Sequence, residues 1–238
     1  MSSSPKSPYQ PFLLRFLHSA IAFFVIAAII TAFWTYDTYD GRWGGLPLPK
    51  WSDIEGIHGT FGLWSLLIFP IFVFYAIHRG QRRLIQSSFV SELNKIGKPI
   101  WWYNLHRLTN TLAIFALSFA LFSGKMMDEK WLPRGELNHG WYYAHLISWV
   151  VLVIAIALHS LMGLKVGGKP LLLSMFHWQF RSKDSPFLWG TQVKTWLKEN
   201  KIATGIKQEW RKLSPHLKII EIVIFSSLII AWILPLIK

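Results

Sequence analysis

Nine histidines and no cysteine occur in the 238 residues. Five of those histidines, His106 among them, fall inside apolar runs, where an ionisable side chain is costly and marks a site or a pathway. His18 lies in LLRFLHSAIAFF, His58 in IHGTFG, and His145 and His159 bracket AHLISWVVLVIAIALHS. The lack of cysteine excludes disulfides, thiolate-held iron–sulfur clusters and covalent CxxCH haem attachment. Imidazoles that face one another between helices are suited above all to binding a metal. His145 and His159 are fourteen residues apart, which is ~3.9 helical turns and ~21 Å of rise, so both project from nearly the same face of one helix.

The elements that carry them are membrane spans. Of all residues 52% are hydrophobic, with 14 Trp and 17 Phe, and the apolar residues cluster in runs at 12–34, 54–77, 101–124, 141–164 and 219–237. Each run is close to the ~20 residues that cross a hydrocarbon core as a helix. None alternates as a barrel strand would. The fold class expected is therefore an all-α membrane protein, a four-helix transmembrane bundle followed by a fifth, C-terminal transmembrane helix. The expected domains are a core over 1–168, a basic segment over 169–218 and the fifth helix over 219–238, with a disordered tail at 1–11. Pro99 suits the first turn of the third span, and GLKVGGKP is a stop signal after the fourth.

Net charge is +13, but its distribution argues against a nucleic-acid partner. The chain up to Arg15 has two basic residues and no acid, 78–107 has six against one, and 165–218 has eleven against three. The alternate segments differ: 35–56 has two basic and four acidic residues, and 125–140 has three of each. The basic segments all fall on one side, so the positive-inside rule places the N-terminus in the cytoplasm and the C-terminus opposite. The charge then reports topology and contact with anionic lipid. Within 191–213, Val193, Trp196, Leu197 and Ile206 stand among lysines, a pattern for a helix at the inner headgroup boundary or a docking surface.

Topology sorts the histidines by depth. His18 and His159 share the inner level, and His58 and His145 share the outer one. Zinc takes four ligands, or three and water, whereas each level offers a pair without cysteine or carboxylate. A haem iron has four equatorial nitrogens already and needs only two axial ligands. Two b-type haems stacked across the membrane fit this count best. His106 is a further inner-level histidine that could compete with His18, donate to a propionate or line a quinone pocket. Arg15 and Arg107 lie nearest the inner histidines as propionate partners, ahead of Arg82 and Arg83; Arg42, Lys50, Lys125 and Arg134 are the outer candidates.

The setting of these residues resembles a known family. R-x-x-H at Arg15 and His18, H-x-x-x-G at His58 and Gly62, Ser123–Gly124 closing the third span, and the His145–His159 spacing occur in the order found in the bacterial cytochrome b-561 family. That family is related to the cytochrome b subunits of nickel–iron hydrogenases and formate dehydrogenase. The resemblance covers about residues 10–168. It implies that the first and fourth helices hold one bis-histidine haem (His18, His159) and the second and fourth the other (His58, His145), with quinone chemistry in the membrane. Ser19 stands where the family often has an aromatic, and the basic segment and fifth helix are additions.

The function expected is transmembrane electron transfer linked to the quinone pool, in a bacterial plasma membrane or a thylakoid. The chain would be an electron-transfer oxidoreductase or a subunit of one. A haem-binding anchor for a hydrogenase or dehydrogenase is the alternative, and a non-redox helical membrane protein the more distant one. Partners would be lipid, quinone, a redox protein on either face, and in one version a second copy of the chain.

Overall fold

The computed structural model describes residues 9–127, 137–198 and 202–237. Every regular element among the described residues is helical: α1 (Phe12–Tyr39), α2 (Ile54–His78), α3 (Phe89–Leu93), α4 (Pro99–Lys125), α5 (Gly140–Ser174), α6 (Trp189–Lys198), α7 (Ile202–Lys212) and α8 (Pro215–Ile237), besides short 3-10 turns. Five of these (α1, α2, α4, α5 and α8) are long and apolar enough to cross a membrane. Residues 1–8 of the expected tail, the outer candidate Arg134, and the side chains of Trp196, Leu197 and Ile206 lie outside what is described.

The long helices are apolar on both faces, which separates them from helices of a water-soluble core. Along α1, Leu14, Leu17, Ile21 and Val25 are buried at three- and four-residue spacing, while Phe16, Phe23, Ile26 and Ile30 are exposed. Along α8, Leu217, Ile224, Leu228 and Ala231 are buried, and Ile222, Ile229, Ile230 and Ile233 are exposed. An exposed face of that composition is matched by lipid, and a helix satisfies its own backbone groups there.

The helix ends follow local chemistry. Pro99 opens α4 as expected, at a position where a missing N–H costs nothing. The helical run of α5 is interrupted at Gly168, whose φ of 64° and ψ of −169° favour glycine over any residue with a Cβ. Pro170 then allows one further turn to Ser174. Helix α2 continues through Pro70. Helix α8 begins at Pro215 rather than 219, because backbone hydrogen bonding extends through the polar turn that an apolar-run reading leaves out.

Two compact units make up the chain. One comprises residues through Ser19, Phe72–Thr111 and His159–Ile222; the other comprises Ala20–Ile71, Leu112–Leu158 and the chain from Val223. In the first, the start of α1 is fastened to the segment after α5. Arg15 donates to the carbonyls of His177 and Gln179, the Phe12 amide and the Tyr9 hydroxyl donate to Asp184, and Phe12 packs on Trp178 and Phe180. In the second, the loop after α1 is pinned by two carboxylates. Asp37 accepts from the Leu46 amide at 2.7 Å and from Lys50 at 3.2 Å. Asp40 accepts from Arg42 and from Tyr142, each at 2.6 Å. Partial burial pushes the Asp40 pKa up, but hydrogen bonds from Tyr142 and Arg42 outweigh it and hold the carboxyl below its usual range.

Candidate functional site

In the second unit, His58 on the second turn of α2 faces His145 near the start of α5. Their ring centroids are 5.9 Å apart with planes at 54°. His58 Nδ1 lies 3.1 Å from the Ala28 carbonyl and 3.4 Å from Thr31 Oγ1. Thr31 already donates to the Ala27 carbonyl at 2.7 Å, so both neighbours act as acceptors for His58. His145 Nδ1 lies 3.1 Å from Ser123 Oγ, and Ser123 donates to the Phe119 carbonyl at 2.8 Å, so this ring also donates through Nδ1. Beneath it, a Cβ at Gly124 would stand 2.9 Å from His145 Cε1, closer than real Cβ contacts. Only glycine leaves this ring where it is.

In the first unit three imidazoles gather. His159 on α5 has His18 of α1 at 6.1 Å, planes at 38°, and His106 of α4 at 6.1 Å, planes at 31°. His159 Nδ1 donates to Asn110 Oδ1 at 2.8 Å, and Asn110 Nδ2 donates to the Arg83 carbonyl at 2.8 Å. No ring hydrogen bond holds His18 or His106 among the described residues; His18 instead meets the edge of Phe72 at 6.1 Å. Ser19 Oγ donates to the Met175 carbonyl at 3.5 Å. One turn after His159, a Cβ at Gly163 would lie 3.8 Å from His106 Nε2.

The same hydrogen-bond logic recurs in both units. An imidazole that donates through Nδ1 presents Nε2 to a metal, with its tautomer and ring orientation fixed by the acceptor. His58, His145 and His159 are all held in this way. An iron bonded to one nitrogen of each of two imidazoles at about 2 Å sets ring centroids roughly 6 Å apart, the spacing found here. Among the described residues no group of three or more His, Cys, Asp or Glu side chains is arranged to hold a metal ion. Paired rings without such a cage fit a macrocycle whose own nitrogens complete the coordination, and the residues present fit haem.

Five of the charged candidates, Arg15, Arg107, Arg83, Arg42 and Lys50, are already engaged. Arg15 is 3% exposed; its terminal nitrogens serve carbonyls, and its Nε is buried without a partner. Arg107 donates from Nε to the Arg82 carbonyl at 3.0 Å and from Nη1 to Asn104 at 3.1 Å. Arg83 donates to Gln10 at 2.5 Å. Arg42 and Lys50 are ion-paired with Asp40 and Asp37. Asn110, Thr31 and the buried pair His78–Glu221 are the polar groups that reading the sequence did not single out as a set. Asn110 alone left a clue, standing four residues beyond His106 on the same helix.

Taken together, these observations define a helical membrane protein with paired imidazoles suited to axial ligation. A family model for prokaryotic cytochrome b561 matches residues 9–178, and the chain belongs to that family. It is thus an integral multi-pass membrane protein of a family of b-type haem cytochromes that serve in electron transfer. The match runs past the fourth span through the Gly168 turn; α6, α7 and α8 lie beyond it. No curated protein and no solved structure matches the chain.

Proposed function

We propose that the chain holds two b-type haems, one between His58 and His145 and the other between His18 and His159, and passes electrons across the membrane in exchange with the quinone pool. The observation that carries this reading is the pair of ring separations, 5.9 Å and 6.1 Å, where Nδ1 of His58, His145 and His159 is anchored and leaves Nε2 for the metal. When bound, each haem supplies a one-electron redox centre with no open coordination position, which favours electron transfer over oxygen activation. The chain's own part is positional. Ala28 and Thr31 fix the His58 ring, Ser123 and Gly124 seat His145, and Asn110 orients His159. Buried Arg15, with its unpartnered Nε, is the propionate partner nearest His18, and Arg107 that nearest His106. The charge asymmetry supports an N-terminus in the cytoplasm and a C-terminus opposite.

The purified protein is expected to show reduced b-type absorption bands and about two haems per chain. His145→Ala should leave one haem and its bands. Two retained haems, or none, would overturn the pairing, and a colourless folded wild type would overturn the haem assignment itself. A second reading of one ligand has its own observation: His106 lies as far from His159 as His18 does, 6.1 Å, so the two compete for one coordination position.

A further inference from the structure

His78 closes α2 and Glu221 lies on α8, and they meet across 143 residues of chain with His78 Nε2 at 2.7 Å from Glu221 Oε1. Both residues are buried, 8% and 9% exposed, and both belong to the unit that contains His18, His106 and His159. Apolar residues flank the pair. Val73, Ile77 and Leu217 are buried in the same unit, and the Phe74 ring stands 4.3 Å from the His78 ring. The outer ends of the pair are open: His78 Nδ1 and Glu221 Oε2 are buried with no hydrogen-bond partner. A contact that served only to fasten α8 would be better made from apolar side chains, because a buried ion pair rarely repays its desolvation and open polar atoms add to the cost. An imidazole–carboxylate pair with an open nitrogen and an open oxygen is instead suited to gaining and losing a proton.

The pair is also tied to the His159 site by one short stretch of backbone. Five residues after His78, the Arg83 carbonyl holds Asn110, which holds His159. The neighbouring groups of that stretch are held as well: the Arg82 carbonyl by Arg107, the Ile85 amide by Thr111 and the Ile85 carbonyl by His216. An electron added to a low-dielectric region raises the proton affinity of titratable groups in reach. The other titratable and charged groups nearby are Tyr75, three residues before His78, and Arg79, next to it; Glu209 and Lys212 of α7; and His216 and Lys218, five and three residues before Glu221 on α8. Glu209 is felt by His78 and Arg79 and is paired with Lys212 at 2.6 Å. Arg79 and Lys212 are exposed, and His216 is bound to a carbonyl. His78–Glu221 is the buried titratable pair.

We propose that His78–Glu221 is a redox-linked proton site, an inference that rests on haem at His159. With haem held at His159, a quinol giving up one electron there would release its proton to solvent, and one proton from water would join the pair. Neutral imidazole and carboxylate become imidazolium and carboxylate, the electron's charge is offset, and reoxidation returns the proton. His78 lies inside the segment matched by the family and Glu221 outside it, so the pair depends on the added helix.

The test is a redox titration of the haem-loaded protein in nanodiscs across the neutral pH range. One of the two midpoint potentials should fall as pH rises in the wild type and become flat in Glu221→Gln and His78→Gln. The second midpoint and the haem content should be unchanged, and Glu221→Asp should restore the dependence. On the wild type alone, reduction should produce an infrared protonation band that shifts in D2O. Two haems with flat wild-type midpoints, a slope that persists in both variants, or no such band overturns this proposal while leaving the haem assignment standing; absence of haem overturns both.

Discussion

The His58–His145 and His18–His159 sites use one principle with different completeness. In the first, both rings donate through Nδ1 and a glycine is cut to the outline of His145. In the second, only the shared ring is anchored, and two further imidazoles stand 6.1 Å from it without ring hydrogen bonds. A site whose ligands are both oriented by hydrogen bonds has one geometry. With one oriented ring and two candidates opposite it, hydrogen bonding leaves the choice of partner ring to packing. The second arrangement is also the one whose unit contains the buried His78–Glu221 pair.

The largest effect that could break this comparison is loss of a ligand in the three-histidine site. His18→Ala should reduce the haem content from two to one. His106→Ala should retain both, with a shifted midpoint for one of them. The opposite result would transfer the ligand role to His106 and bring α4 rather than α1 into the site. Next comes the glycine in the closed site. Gly124→Ala places a Cβ 2.9 Å from His145 Cε1, and overpacking of this kind costs ~1–3 kcal/mol, roughly a five- to 150-fold loss of haem retention at that site alone. Haem transfer to an apo-globin acceptor would measure it. Equal loss from both sites would show general destabilisation instead of a local fit.

How much of this was legible in the sequence depended on the range of the interaction. The five spans were visible because a helix in lipid satisfies its own backbone, leaving composition as the signal. The Gly168 break was visible because GGKP is a local instruction. The pairing of His18 with His159 and of His58 with His145 was legible because rise per residue sets a histidine's depth along its span. Ring orientation was not legible, since His58 meets Ala28 and His159 meets Asn110 across 30 and 49 residues. Nor was the engagement of the basic candidates. Arg15 has the expected position one turn before His18, but its terminal amines serve carbonyls 162 and 164 residues away. That Glu221 pairs with His78, 143 residues away, required the fold.

Second-sphere hydrogen bonds give a smaller and more discriminating contrast. His159 is oriented by a side chain and His58 chiefly by a backbone carbonyl, which substitution cannot remove. Asn110→Leu should therefore weaken haem binding at its site by about 10- to 100-fold, while Thr31→Ala leaves His58 with the Ala28 carbonyl at 3.1 Å and costs less. Comparable losses in the two variants would mean that Thr31 rather than Ala28 holds the ring.

The smallest effect lies outside the spans, in the loop of the closed site's unit. Asp40 receives Tyr142 and Arg42, and its pKa is lowered in the folded protein. A carboxylate depressed in this way contributes stability that is present above its ordinary pKa and is lost as pH falls through the lower folded value. The contribution is modest, because Arg42 is exposed and solvent screens such a pair. Asp40→Asn should thus unfold at a slightly lower temperature than wild type at neutral pH, and the two should converge in acid. A difference that persisted or grew in acid would mean that the loop is held by neutral hydrogen bonds, with Tyr142 rather than the Asp40 charge as the anchor.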